Sequence, residues 1–280
     1  MQLLTFRSMW GVLGPWGKFP AEQWEAAFPQ VKQAGFQGIE TGVPQPADQP
    51  RFRQLLDTHQ FQYIAMIFTA GAGVDDHLAS FRSQLEAAGP LKPRLVVSHS
   101  GRDAFSPADA DRFFEAALKI EADLKIRVAH ETHRGRILFN PWVAERLLKR
   151  FPELHLCVDF SHWVCVAERL IDDCLPIIDL CATRCRHLHA RVGYEEGPQV
   201  PDPRAPEYAP HLKAHEAWWN RIWDAQAAAG ESETTLDPEF GPPGYMHTLP
   251  HTQVPVADLW DICNWMARRE RELFAQRKPR

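Results

Sequence analysis

The chain has 280 residues, 45% of them apolar and 24% charged, with a formal net charge of −5. That balance supplies a full-sized core and excludes intrinsic disorder, while the scattered Lys and Arg form no basic stripe, so no nucleic-acid partner is expected. No apolar run approaches the roughly 18 residues of a membrane span, and the start, MQLLTFRSMWGVLG, lacks the apolar core and cleavage site of a signal peptide, so a cytoplasmic protein without a membrane partner is expected.

Read in chain order, apolar residues switch between the period of a strand and that of a helix. LLTFRSMWG (3–11) reads as a strand and PAEQWEAAFPQVKQAG (20–35) as a helix stopped by Gly35. FQGIETG (36–42) is a strand, PRFRQLLDTHQ (50–60) a helix, FQYIAMIFTA (61–70) a strand and DDHLASFRSQLEAAG (75–89) a helix. RLVVSHSG (94–101) precedes a helix over 106–125 with Ser106 as N-cap. RVAHETH (127–133) precedes NPWVAERLLKRFPE (140–153), which Asn140 caps and Pro141 opens. LHLCVDFSHW (154–163) reads as strand six, followed by a helix around 170–185. RHLHARVG (186–193) is strand seven, then a Pro-rich loop (197–210) and a helix (211–230). ESETTLDPEFG (231–241) is strand eight, and a helix over 256–276 closes the chain. Eight strand and helix pairs predict an α/β protein, a (β/α)₈ TIM barrel forming one domain over 1–280. The six cysteines include no CxxC pattern, and several sit in apolar stretches, as reduced core thiols do.

In such a barrel the carboxyl ends of the strands carry the chemistry. Glu131 and His133 end strand five, Asp159 and His162 strand six, His187, His189 and Arg191 strand seven, and Asp237 and Glu239 strand eight. Alternation puts Glu131 with His133, the strand-seven trio together, and Asp237 with Glu239. Two Glu, one Asp and one His converging from neighbouring strands make a mixed oxygen and nitrogen site for one divalent ion such as Mn²⁺, Mg²⁺, Co²⁺ or Zn²⁺. A cation is also what makes so much buried negative charge tolerable.

These residues resemble the xylose-isomerase-like TIM barrels, which include sugar and sugar-phosphate isomerases and epimerases and the apurinic-site endonucleases. The resemblance runs from AGFQGIE through HETH, CVDFSHW and RHLHAR to LDPEFG, nearly the whole chain. It implies metal ligands Glu131, Asp159, His189 and Glu239, with Glu131 and Glu239 also moving protons through an enediolate. It further implies that His162 and Arg191 contact substrate. His99, which corresponds to an endonuclease ligand, is a candidate substrate contact together with Glu40, His133 and Trp163. The implied activity is isomerisation or epimerisation of a small carbohydrate. Metal-dependent lyase or hydrolase chemistry on a sugar derivative is the alternative, with an endonuclease-like phosphodiesterase behind it. AMIFTA lacks a histidine, and the segment after strand seven lacks the Asp-x-His pair of the trinuclear endonucleases. The chain also departs from many isomerases at Val192, where they carry an acidic residue.

Among the ten tryptophans, Trp10, Trp16 and Trp163 lie near strand ends, whereas Trp218, Trp219 and Trp223 read as helix packing. The Gly197–Pro210 loop is a candidate rim. No Gly-rich phosphate cradle is present. Sequence leaves the oligomeric state open, although the resemblance admits a homo-oligomer.

Overall fold

Eight parallel strands close into a barrel in chain order: β1 (Gln2–Ser8), β2 (Gly38–Gly42), β3 (Gln62–Phe68), β4 (Leu95–His99), β5 (Val128–Glu131), β6 (Leu156–Val158), β7 (Cys185–His189) and β8 (Glu233–Asp237). The structure, a computed structural model, describes residues 1–12 and 19–277. Trp16 lies outside the described residues. Around the barrel run α1 (Trp24–Gln33), α2 (Gln49–His59), α3 (Val74–Ala88), α4 (Pro107–Leu124), α5 (Pro141–Arg150), α6 (Ser161–Ala167), α7 (Leu175–Ala182), α8 (Ala209–Ala228) and α9 (Leu259–Gln276). No described helix is long and apolar enough to cross a membrane.

Parallel strands covered by helices are buried on both faces, which is why β4 has all five residues buried. Leu4, Phe6, Ile64, Leu95, Val97, Ala129 and Cys157 fill the barrel interior, and a larger cluster joins the strands to the helices. Register pairs Phe6 with Gly38. A Cβ at Gly38 would lie 2.3 Å from Phe6 Cε1 and 2.6 Å from Gln62 O, so glycine there lets the ring fill the barrel floor.

The anticipated caps are present. Ser106 Oγ accepts from Asp109 N at 3.1 Å, and Asn140 Oδ1 accepts from Val143 N at 2.9 Å with Pro141 following.

Strand six departs from its reading. Only Leu156–Val158 is extended, and Ser161 opens α6. Asp159 caps that turn, its Oδ1 accepting from Ser161 N at 2.9 Å and from the Ser161 hydroxyl. His162 and Trp163 therefore follow a helical period. Strand five is also shorter than read, so His133 lies in the loop beyond it.

Candidate metal centre

Glu131 is the last residue of β5 and His189 the last of β7, while Asp159 and Glu239 follow β6 and β8 within two residues. All four are buried, and one ligand atom from each lies within 4.8 Å of the others. His189 Nδ1 is 3.4 Å from Glu131 Oε1 and 3.1 Å from Glu239 Oε2. Those are ion-pair distances without hydrogen-bond angles: both Glu131 oxygens, His189 Nδ1 and Glu239 Oε2 are sealed from solvent and lack a hydrogen-bond partner.

His189 Nε2 donates to Glu40 Oε1 at 3.0 Å, so the neutral ring turns its Nδ1 lone pair toward two carboxylates. That arrangement repels unless a positive charge sits between them. A proton on the ring supplies one such charge. Burial pushes the His189 pKa down, but Cys157, Glu239 and Glu40 raise it well above the usual value. A divalent ion fits the same donors.

Glu40, a candidate substrate contact, does line the cavity described below, and both its oxygens also take a histidine. Oε1 takes His189 and Oε2 accepts from His187 Nε2 at 2.9 Å. Burial pushes its pKa up, the two imidazoles more than reverse this, and it falls to about 2. His187 Nδ1 meets Thr235 Oγ1 at 2.7 Å. The chain Thr235, His187, Glu40, His189 thus fixes the orientation of a candidate ligand histidine.

Arg191 donates to Asp159 Oδ2 and lies 3.3 Å from Glu239 Oε2. Its Nη2 also donates to His162 Nε2 at 2.9 Å, which requires a neutral imidazole. Burial, with His133 and Arg191, holds the His162 pKa well below its usual value. Arg191 therefore braces the ligand cluster while its side chain lines the cavity. Asp159 is held up by burial, against the pull of Arg191. Gly193 lets β7's continuation pass this segment, since a Cβ there would lie 2.5 Å from Ser161 O.

His99 Nε2 lies 2.7 Å from Glu131 Oε2, and its ring stacks on Phe68 at 4.2 Å. Burial pushes Glu131 up, whereas His99, His133 and His189 outweigh it and leave the carboxyl well below its ordinary range. His133 Nε2 lies 3.4 Å from Tyr245 Oη, and burial is the main cause that brings its pKa down to about 3. His99, Glu131 and His133 also form a possible ligand trio, as do Glu40, His187 and His189. In the second trio the Nε2 atoms are already spent on Glu40. Asp237 shares the interior with neither oxygen hydrogen-bonded, and burial followed by Glu40 raises its pKa well above normal.

Glu131 and Glu239 of the cluster line a cavity of about 560 Å³. Its walls include residues that sequence reasoning left unassigned: Phe19, Phe68, Arg136 and Tyr245. Trp10 does reach the cavity, packing edge-on against Tyr245 at 5.0 Å. Its ring crosses Gly241, where a Cβ would lie 2.3 Å away, which accounts for the glycine of EFG. Trp163 does not reach it. The side chain is fully buried and donates to Leu138 O at 2.9 Å, because helix α6 turns it into the packing. Trp218, Trp219 and Trp223 are likewise fully buried on α8. In the Pro-rich loop, Gln199 exchanges two hydrogen bonds with Gly241 and braces the segment after Glu239.

The model of the xylose isomerase-like TIM barrel family matches residues 28–201. No curated protein matches the chain in sequence. Among solved structures, the fold is similar to the probable 3-DHS dehydratase AsbF involved in petrobactin synthesis from Bacillus anthracis, with TM-score 0.59 and 14% identity over 99% of each chain. An AP endonuclease of family 2 from Brucella melitensis gives TM-score 0.59 and 16% identity, over 95% of this chain and 98% of that one. The 3-keto-D-glucoside 4-epimerase YcjR from E. coli gives 0.57 and 13%, over 97% and 99%. At such identities these likenesses concern the fold.

Proposed function

The chain belongs to the xylose isomerase-like TIM barrels, and from that membership and its buried ligand cluster we propose a divalent-metal-dependent isomerase or epimerase of a sugar, keto-sugar or related polyol. One observation supports this above the rest: four ligand atoms from four strand ends within 4.8 Å, several of them buried without a hydrogen-bond partner. A structural polar network would satisfy those atoms within the protein.

Glu131, Asp159, His189 and Glu239 would hold the ion. When bound, such an ion polarises adjacent carbonyl and hydroxyl oxygens and acidifies the C–H between them. Glu239 seals Oε2 into the cluster while the residue also lines the cavity, so its other oxygen is the one open to a substrate proton. Glu131 has both oxygens sealed beside histidines, so in this reading it holds the ion and shares its charge, and it would exchange a proton only after one of them is uncovered. Arg191 holds Asp159 and Glu239 in register, and Trp10 and Tyr245 shield one side of the cavity from water.

The test is metal content per chain in protein purified without chelator, beside Glu131→Gln and Glu239→Gln, followed by ²H uptake from D₂O into keto-sugars. We expect about one ion per chain, weakened in both variants, and proton exchange slowed about 100-fold or more by Glu239→Gln. Failure to bind any divalent ion, or full turnover in Glu239→Gln, refutes the reading. Loss of water without exchange at carbon would instead assign lyase chemistry.

A further inference from the structure

The stretch HETHRGR ends in an arginine that the ligand cluster does not use. Arg136 sits in the loop between β5 and α5 and lines the same cavity as Glu131 and Glu239. Its Nη1 donates to Thr69 O at 3.1 Å and Gly101 O at 3.2 Å, bridging the loops that follow β3 and β4.

Those anchors are themselves fixed. Thr69 Oγ1 accepts from Gly101 N at 2.8 Å, and Ile137 N donates to Ser100 O at 3.0 Å. The Ile137 side chain is buried and fills the space beside Gly101, where a Cβ would lie 2.4 Å from Ile137 Cδ1. The guanidinium is therefore held in place before any ligand arrives.

Its charge has no close ion-pair partner: Glu131 and Asp103 act on it only from a distance. Arg191 has Asp159 and Glu239, and Arg94 has Glu233 at 2.7 Å, but no carboxylate among the described residues lies within ion-pair distance of Arg136. Both protein hydrogen bonds use Nη1. The Nε and Nη2 donors have no protein partner among the described residues and are not among the sealed atoms. A half-buried guanidinium facing a cavity with one donor edge uncommitted matches a planar carboxylate, which takes two parallel N–H bonds. A phosphate monoester, with more charge and a tetrahedral outline, would want further cationic or backbone donors.

Phe68, 45% exposed and stacked on His99, supplies an apolar face on the cavity wall. It suits the C–H face of a small ring or chain.

We propose that Arg136 is the specificity-determining residue of this cavity, gripping the carboxylate of a sugar acid whose opposite hydroxyl or carbonyl end reaches the Glu131, Asp159, His189 and Glu239 cluster. The substrate class is then a polyhydroxy carboxylate, and this rests on the metal-enzyme reading above.

Calorimetric titration of Mn²⁺-loaded protein with four hexuronates and their four parent hexoses, beside glucose 6-phosphate, tests it in wild type, Arg136→Gln and Arg136→Lys. At least one uronate is expected to bind about tenfold or more tightly than its parent sugar. Arg136→Gln should bring that ratio to about one. Arg136→Lys, which can still reach the loop carbonyls and keeps the charge but not the fork, should leave it in between, and it serves as the readout if the glutamine variant does not fold. No uronate preference in wild type, a preference unchanged in both variants, or glucose 6-phosphate as the tightest ligand overturns the assignment. Repeating the series on chelator-treated protein separates the two claims. A preference that depends on Arg136 in protein that binds no metal refutes the metalloenzyme alone. Metal retained without that preference refutes the role of Arg136 alone.

Discussion

Replacing Glu40 by glutamine isolates what a buried charge does for a ligand it never shares with the metal. In wild type, His187 Nε2 donates to Glu40 Oε2 at 2.9 Å and Thr235 Oγ1 lies 2.7 Å from His187 Nδ1, so the threonine hydroxyl donates to that ring. A glutamine keeps an oxygen for His189 Nε2 but turns an NH₂ toward His187. The ring can answer by moving its proton to Nδ1, because Thr235 Oγ1 can then accept from it while donating to Arg186 O, 3.2 Å away. Geometry and packing survive, so stability should change by no more than about 1 kcal/mol. What is lost is the negative charge that makes His189 a stronger donor. Outer partners of this kind are worth about 10- to 100-fold in metal affinity, or roughly 1.4–2.7 kcal/mol. Glu40→Ala removes both acceptors, strands two buried imidazole N–H groups and should cost about 3–5 kcal/mol of stability. Calorimetric Mn²⁺ titration of chelator-stripped protein, with thermal unfolding alongside, reads both. Wild-type metal affinity in Glu40→Gln, combined with weakened sugar binding, would return Glu40 to the role of substrate contact and refute the chain argued here.

Two further outcomes follow from groups outside the cluster. Glu270 on α9 is fully buried with neither oxygen hydrogen-bonded, and burial, followed by Glu216, raises its pKa well above 4.5. A raised carboxyl binds its proton more tightly in the folded state, so stability is retained below the unfolded value and lost as pH climbs from there to the folded value. Glu270→Gln should leave the melting temperature nearly unchanged at pH 4 and raise it at pH 8; an equal shift at both would contradict the assignment. Trp163→Phe removes the bond to Leu138 O from a packed position and should cost about 1–3 kcal/mol of stability. Its metal stoichiometry and sugar affinity should match wild type, and a selective loss of sugar binding in calorimetry would put Trp163 back in the cavity.

The barrel was legible because parallel strands covered by helices write long apolar runs between caps such as Ser106 and Asn140, and local periodicity suffices to see them. Strand six was misread for an equally local reason. CVDFSHW is apolar enough to extend, but Asp159 accepts from the Ser161 backbone and hydroxyl and starts a helix instead. A period-2 count then aims His162 and Trp163 wrongly. The candidate ligands come together because each ends a strand or follows one within two residues, and closure of the barrel brings strand ends together whatever the loops do. Glu40 shows where that logic stops. Its partners His187 and His189 lie 147 and 149 residues away, and no local pattern tells a carboxylate aimed at substrate from one aimed at an imidazole.

Arg136 and Tyr245 lie further beyond reach of pattern, on loops whose path is set by contacts such as Arg136 to Thr69 O and Tyr245 to the Trp10 ring. Strand ends place the candidate ligand atoms, and their spacing follows from barrel geometry. Loops place the groups that choose which molecule reaches those atoms, and they can change without disturbing the strand register. The candidate ligands are therefore visible in the order of VDFSHW, HLHAR and EFG, whereas Arg136 joins the cavity wall through contacts that only the folded loops make.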